Sequence, residues 1–170
     1  MQAADRRQAI LECLQSASLP VSAGALATRF SVSRQVIVGD IALLRAGGAE
    51  ISATPRGYVI QQSPAGLVQH VACRHSGAEM EAELNIFVDN GCTVLDVIVE
   101  HPVYGQITGP LQLSNRYDVQ QFIARCTAPL SRLTEGIHLH TVSFPNEDAY
   151  RRALAQLDAT GFLLKDEENR

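Results

Sequence analysis

The sequence predicts an α+β protein made of two small domains, and three observations support this. The chain has 170 residues, 46% of them hydrophobic, so packed domains can form throughout. Helical patterns fill residues 5–46, whereas strand and helix patterns alternate after residue 67. Residues 1–60 carry six arginines and four acidic residues, whereas the remainder carries eight basic and fourteen acidic residues. A basic segment attached to an acidic one indicates two domains with different partners.

We place the domains at residues 1–62 and 67–170, with residues 63–66 (Ser-Pro-Ala-Gly) as a linker. Only the tail, residues 165–170, is expected to be disordered. No apolar run reaches the roughly 18 residues that span a bilayer, and the N-terminus lacks a secretory signal pattern, so we expect a cytoplasmic protein with no membrane partner. The four cysteines form no CxxC pair and are expected to be buried thiols.

Three helices are predicted in the first domain. The first spans residues 5–17, the second spans residues 21–30 with Ser22 as its N-cap, and the third spans residues 34–46 with Ser33 as its N-cap. The stripe expected to be buried on the third helix consists of Val36, Ile37, Ile41 and Leu44.

The third helix is the predicted DNA-reading element. Its apolar stripe leaves Arg34, Gln35 and Val38 outside near the N-terminal end, where helix-turn-helix proteins present side chains to the major groove. Arginine can bond guanine and glutamine can bond adenine, so these residue types fit direct readout. Ser33 completes this candidate set at the helix start. Arg45, near the far end, is expected to contact a phosphate or to complement the helix dipole.

A wing follows the third helix. Residues 50–53 and 58–61 alternate in a strand pattern, and residues 54–57 join them as a turn. Arg56, at the tip, is expected to reach the DNA backbone or the minor groove, and Gly57 supplies the permissive backbone of the turn.

Four short motifs of the first domain are Val32-Ser33-Arg34-Gln35, Asp40-Ile41, Leu44-Arg45 and Arg56-Gly57-Tyr58. Together they resemble the winged helix-turn-helix that opens biotin-repressor-type regulators. The resemblance covers about 55 residues and implies a double-stranded DNA operator as partner, whereas the chain is too short for a biotin-ligase body. The alternative is a three-helix domain that binds protein instead of DNA.

The second domain is predicted to contain four strands and three helices. The strands are residues 67–73, 92–100, 106–113 and Ile137–Phe144. The first helix begins at the capping box of Ser76 and Glu79 and ends at residues 90–91. The second spans residues 117–126. The third spans Glu147–Ala159 and has Asn146 as its N-cap.

Two histidines, His138 and His140, are two residues apart in the last strand. Their side chains should leave the same face, with Cα atoms about 6.5–7 Å apart, close enough to bind one metal ion. The alternative is a pair of histidines on a solvated or polar-packed strand face.

His75 and Glu83 add an imidazole and a carboxylate. On one regular helix they would lie about 12 Å apart along the axis and about 80° apart in rotation, but the capping box places His75 outside the helix. Three imidazoles and one carboxylate suit a divalent transition metal such as zinc, nickel or iron. Glu79 and Cys73 are the nearest competing ligands.

Three further motifs distinguish the second domain: residues 97–105 (VIVEHPVYG), residues 116–119 (RYDV) and residues 136–141 (GIHLHT). With His75 before them, they resemble the three-histidine (3H) domain. Joined to a winged helix, this domain resembles the niacin-responsive repressors of NAD-biosynthesis and niacin-uptake genes. The resemblance implies a homodimer and nicotinic acid as co-repressor. The metal ligands that it implies are His75, Glu83, His138 and His140.

Residues for a ligand pocket are harder to choose. His101 lies in a turn flanked by Pro102 and Gly105, where it could hydrogen-bond a pyridine nitrogen or a carboxylate, and Tyr104 could stack on a ring. Arg116 is a candidate carboxylate clamp. The alternatives are a half-buried strand tyrosine, a surface arginine, or a pyridine nitrogen bound directly to the metal.

Two other functions remain open at this point. A regulator could respond to the metal itself, or the second domain could be a small metal-dependent enzyme with Glu100 or Glu79 as base. We expect no enzyme, because the sequence offers no evident nucleophile and a DNA-binding head on a domain of about 100 residues would be unusual for one.

Overall fold

Ser22 and Ser33 begin the two helices of the helix-turn-helix. In the computed structural model, which describes residues 2–60 and 66–165, Ser22 Oγ accepts a hydrogen bond from the Ala25 amide at 3.1 Å and Ser33 Oγ accepts one from the Val36 amide at 3.2 Å. These bonds satisfy amides that a helix start leaves without a partner. The elements are α1 (Ala3–Ser16), α2 (Ala23–Phe30), α3 (Arg34–Ala46), β1 (Ile51–Thr54) and β2 (Gly57–Ile60).

Contacts divide the chain into two units, Met1–Ser63 and Pro64–Arg170, each with its own hydrophobic core. The expected linker at residues 63–65 and the expected disorder at residues 166–170 lie outside the described residues. Within the described parts of the chain, no helix is both long enough and apolar enough to cross a membrane.

The first core joins all three helices to the wing. Its fully buried members include Ile10, Leu26, Ile37 and Ile41. Val36 was expected in this stripe, and that expectation is wrong: its side chain is 37% exposed, because the core lies under the Ile37 and Ile41 side of α3.

A buried carboxylate fixes α3 against α1. Asp40 is 4% exposed and binds Arg6 through Nε at 2.6 Å and Nη2 at 3.3 Å, with Arg7 Nη1 at 3.6 Å. A planar guanidinium that grips one carboxylate with two nitrogens sets both distance and angle. Arg6 and Arg7, two of the six basic residues of this domain, are therefore used inside the unit.

The wing is anchored to the start of α2. Val21 and Tyr58 exchange two backbone hydrogen bonds, at 3.0 and 2.9 Å. Gly57 has φ +140°, and a Cβ there would lie 2.5 Å from the Val21 carbonyl. Only glycine permits this approach, since other residues would clash with backbone. The strands pair as predicted, although Gln61 lies outside the described residues.

The second unit is one antiparallel sheet with helices packed on it. Its elements are β3 (Leu67–Arg74), α4 (Met80–Asp89), β4 (Thr93–His101), β5 (Gly105–Leu113), α5 (Arg116–Arg125), β6 (Ile137–Phe144) and α6 (Glu147–Ala159). The strand order is β3-β6-β4-β5. Short 3₁₀ turns, Gly77–Glu79 and Leu130–Thr134, precede α4 and β6.

Strand register decides which side chains meet. Cys73 lies opposite His138, and Val71 and Val97 lie on either side of His140. Residues directly opposite in antiparallel strands share a face. Here that face carries the core with Leu84 and Phe87 of α4, so β6 alternates between buried and partly exposed side chains. The α+β architecture predicted from the sequence is confirmed.

Candidate metal centre and DNA-binding surface

One carboxylate, that of Glu83 on α4, lies at the centre of three imidazoles. It is fully buried. His75 Nε2 is 2.7 Å from Oε2, His138 Nε2 is 3.1 Å from Oε1, and His140 Nε2 is 3.2 Å from Oε1. The structure therefore brings together all four of the candidate ligands predicted from the sequence.

The secondary structure explains this convergence. His138 and His140 alternate onto the buried face of β6. His75 follows the last residue of β3, and its side chain is 2% exposed. The capping box then turns the chain: Glu79 Oε2 accepts from the Ser76 amide and hydroxyl, both at 2.9 Å. This turn starts α4 with Glu83 facing the sheet.

The second nitrogen of each ring identifies its chemical form. His75 Nδ1 lies 2.8 Å from the Ser76 carbonyl, His138 Nδ1 lies 2.9 Å from the Gly136 carbonyl, and His140 Nδ1 lies 2.7 Å from the Asp96 carbonyl. A carbonyl only accepts, so each Nδ1 carries the proton. In a neutral ring, Nε2 then presents a lone pair.

Three lone pairs and a carboxylate therefore point at one small volume. Acceptors repel one another unless protons or a cation lie between them, and a buried site cannot hold three imidazolium ions against one carboxylate at low cost. Nδ1–H groups held by backbone carbonyls are the usual outer contacts of histidines that bind metals. The donor set thus fits a divalent transition metal on chemical grounds.

Cys73 is a fifth donor at this centre. Its Sγ, a Glu83 oxygen and a His138 nitrogen lie within 4.8 Å of one another. Burial raises the pKa of this thiol, and the Glu83 charge raises it further. Glu79, the other competing ligand, is instead engaged in the capping box.

The charges at the centre are strongly coupled. Burial disfavours ionisation of Glu83. When the imidazoles also carry a proton on Nε2, the charge of His140 and the hydrogen bonds that the rings donate outweigh burial and hold the pKa of Glu83 well below its usual range. Burial lowers the pKa of His75 and His140, yet the hydrogen bonds and charge of Glu83 raise both above the ordinary histidine value. Protons therefore compete for the same positions as a cation.

The residues predicted for the ligand pocket are engaged by other groups of the protein. His101 Nδ1 accepts from the amides of Val103 and Tyr104 at 3.1 and 3.2 Å, and Tyr104 is 77% exposed. Among the described residues, no hydrogen bond or ring contact links this turn to the Glu83 centre. His101 holds the hairpin turn in shape, a role that its sequence context did not indicate.

Arg116 also has a structural partner. Its Nε and Nη2 bind Asp89 at 2.7 and 2.5 Å on the surface. The hydrogen bonds from Arg116 hold the pKa of Asp89 below its usual range. The fork that was expected to clamp a ligand carboxylate thus holds a carboxylate of the protein.

The predicted DNA-reading surface is exposed. Arg34, Gln35 and Val38 all lie on the solvent side of α3, with Val38 40% exposed. Ser33 is exposed while its hydroxyl caps the helix. The exposed Val36 adds an apolar side chain that sequence reasoning had assigned to the core. Valines can contact thymine methyl groups.

The other two arginines of the predicted set are placed differently. Arg45 Nε donates to the Ile51 carbonyl at 2.7 Å, and its guanidinium lies 5.9 Å from the centre of the Tyr58 ring. Arg56 lies in the wing turn and is partly buried, with its amide donating to Thr54 Oγ1 at 3.3 Å. Arg45 thus fastens α3 to the wing, and its DNA contact stays a prediction.

We predict that Arg45→Ala lowers the free energy of unfolding by about 1–2 kcal/mol, because a charge-assisted hydrogen bond and a cation–π contact are lost. Arg34→Ala is the control on the same helix and should change stability by less than about 0.5 kcal/mol. Urea denaturation of both variants measures the difference. Equal stabilities would contradict the structural role of Arg45.

Comparison with known proteins gives the same two parts. An HTH domain family matches residues 6–59 and the 3H domain family matches residues 68–166. The chain is 43% identical over 166 residues to a protein named Probable transcription repressor NiaR of Thermotoga maritima, covering 95% of each chain. It is 42% identical over 171 residues to Transcription repressor NadR of Bacillus subtilis, covering 96% of this chain and 95% of that one.

Both relatives are named as transcription repressors and neither is named as an enzyme, in agreement with the expectation drawn from the sequence. Both domain families occur in the predicted order, and the similarity extends over almost the whole chain. The chain therefore belongs to the family of transcription repressors that join an N-terminal helix-turn-helix to a 3H domain.

Proposed function

We propose that this chain is a homodimeric repressor of NAD-biosynthesis or niacin-uptake genes, with nicotinic acid as its co-repressor and a divalent transition metal in its 3H domain. The observation that carries the metal proposal is the convergence of three histidine Nε2 atoms on the buried carboxylate of Glu83. The resemblance to niacin-responsive repressors supports the effector. A protein that binds chromosomal operators would act in the bacterial cytoplasm.

His75, Glu83, His138 and His140 would hold the metal, with Cys73 beside them. A bound cation supplies the positive charge that these donors lack and links β3, α4 and β6 through one centre. The backbone carbonyls of Ser76, Gly136 and Asp96 keep the three rings oriented. The donors themselves are nearly inaccessible, which suits a structural or sensing role better than hydrolysis.

On DNA, Arg34 and Gln35 would read bases while Arg56 meets the backbone or the minor groove. Two copies would present two α3 helices to half-sites about one helical turn apart. Nicotinic acid would select the arrangement of the 3H domains that matches this spacing. The effect on operator affinity can be no larger than the difference in nicotinic acid affinity between the two arrangements.

Nicotinic acid at saturation is expected to raise operator affinity by about 5–150-fold, the usual range of coupling between two sites. A gel-shift titration of the metal-loaded protein, with and without nicotinic acid, measures this. Nicotinamide is the matched control, because it has the same ring without the carboxylate charge. Operator affinity that ignores nicotinic acid at saturation would reject the co-repressor.

The second candidate is a regulator that responds to the metal itself. The closed donor set around Glu83 favours it, since every candidate ligand is buried and a metal there could change the packing of the domain directly. Operator affinity that follows metal concentration and ignores nicotinic acid would support this candidate.

The affinity for metal is expected to fall steeply as the pH decreases. The raised pKa values of His75 and His140 mean that these rings keep protons at a pH where a free imidazole would have lost them. Metal ligands must be deprotonated, so protons displace the metal at a higher pH than free histidines would predict. Competition with a chromogenic zinc chelator, from about pH 8 to about pH 5.5, measures this. An affinity that is constant over this range would contradict histidine ligation.

A further inference from the structure

An open cleft of about 560 Å³ lies beside the Glu83 centre, where the end of β3 meets the turn that leads into β6. Its size is within the usual range for pockets that hold small molecules. The lining residues that matter here are Arg74, His75, Ser76, Gly77, Arg132 and Gly136.

The cleft has an excess of positive charge. Arg74 and Arg132 both line it, and Glu135 is the acidic residue of the lining. Within residues 2–60 and 66–165, neither guanidinium has a hydrogen-bond or ion-pair partner, whereas Arg6, Arg45 and Arg116 are all engaged. Two unpaired guanidinium groups in one concavity favour an anion, and their planar forks match a carboxylate.

The cleft is also connected to the histidines. His75 contributes to its wall while its imidazole contacts Glu83. The Gly136 carbonyl accepts a hydrogen bond from His138 Nδ1 at 2.9 Å. It also accepts one from the His75 amide at 3.4 Å. Gly136 has φ +90°, and a Cβ there would lie 2.4 Å from the His75 carbonyl. A molecule that moves this wall would therefore shift two of the three imidazoles.

We propose that this cleft, and neither the hairpin turn of His101 and Tyr104 nor Arg116, is the effector site, and that it binds a small planar aromatic carboxylate through Arg74 and Arg132. This rests on the proposed function for the identity of the effector, nicotinic acid. Because His75 lines the cleft and is also a proposed metal ligand, a molecule bound in the cleft would act directly on the metal ligands. The neutral amide, nicotinamide, lacks the charge that the two arginines would recognise.

The test is calorimetric titration of the full-length, metal-loaded protein with nicotinic acid, benzoic acid and nicotinamide. The variants are Arg74→Ala, Arg132→Ala and Gly77→Leu. A Cβ at Gly77 meets only Pro129 Cγ at an ordinary 3.5 Å, so a larger side chain can be added to the cleft lining there. Arg116→Ala is the matched control, since it removes an arginine outside the cleft. Metal content and thermal midpoint are measured for every variant.

Nicotinic acid is expected to bind the parent protein. Each cleft variant should weaken this binding at least tenfold without loss of metal, whereas Arg116→Ala should leave the affinity for nicotinic acid unchanged. Equal binding of nicotinic acid to all variants would reject the cleft as the effector site, but it would not contradict the proposed function. If only benzoic acid bound, with the same dependence on the arginines, the cleft would stand and nicotinic acid would be rejected. If neither acid bound the parent protein, both proposals would fall.

Discussion

Replacing Glu83 by alanine is expected to reduce bound metal to less than about 0.1 equivalent per chain and to lower the free energy of unfolding by about 3–5 kcal/mol. The carboxylate is fully buried and lies within 3.3 Å of an Nε2 of each of three histidines. Removing it leaves three imidazoles without their partner and a cavity in the core. Metal analysis and urea denaturation measure the two effects.

A second substitution separates charge from packing. Glu83→Gln should also lose the metal, but it should be less destabilising, because the glutamine amide can donate to a neutral Nε2 and fills the same volume. Glu81→Ala is the matched control: it removes an exposed carboxylate from the first turn of the same helix. A Glu83→Gln variant that retains a full equivalent of metal would refute the proposed ligand set.

Arg34→Ala is expected to weaken operator binding about 10- to 100-fold, corresponding to about 1–3 kcal/mol for one bidentate base contact. Binding to random DNA should change much less, because non-specific affinity depends on the total number of phosphate contacts. The side chain is exposed at the start of α3, so the substitution should leave the fold intact.

Arg56→Ala is the control for this prediction, because Arg56 is expected to reach the DNA backbone or the minor groove. A backbone contact should be lost on operator and random DNA alike, with the slope of log affinity against log salt reduced by about one. Filter binding at several salt concentrations measures both variants on both DNAs. If Arg34→Ala reduced the affinity for operator and random DNA equally, Arg34 would contact the DNA backbone and would not recognise bases.

Local patterns were sufficient for most of the secondary structure. Capping residues such as Ser33 and Asn146 lie at the predicted helix starts because a cap needs only a hydroxyl or amide within three residues of the amide it satisfies. The capping box at Ser76 was predicted for the same reason. The helical period was a less accurate guide to which side chains are buried: Val36 was assigned to the core, but its side chain is exposed.

Roles that depend on distant parts of the chain were missed. Asp40 shares the buried face of α3 with Ile37 and Ile41, and a carboxylate in that position signals a buried cation, yet its partner Arg6 is 34 residues away. The sequence likewise does not reveal that Asp89, 27 residues before Arg116, binds that arginine, or that the Ile51 carbonyl accepts a hydrogen bond from Arg45.

By itself, the sequence determined that a basic helix-turn-helix precedes an α+β domain with histidines two apart in a strand, since residue type and local periodicity settle both. Only the tertiary structure decided that His75, His138 and His140 point their Nε2 atoms at Glu83. The same holds for the cleft beside them, which is lined by two arginines whose guanidinium groups have no partner among the described residues. The reason is geometric: strand pairing joins residues 73 and 138, and the distances and ring orientations that create a binding site exist only after that pairing forms.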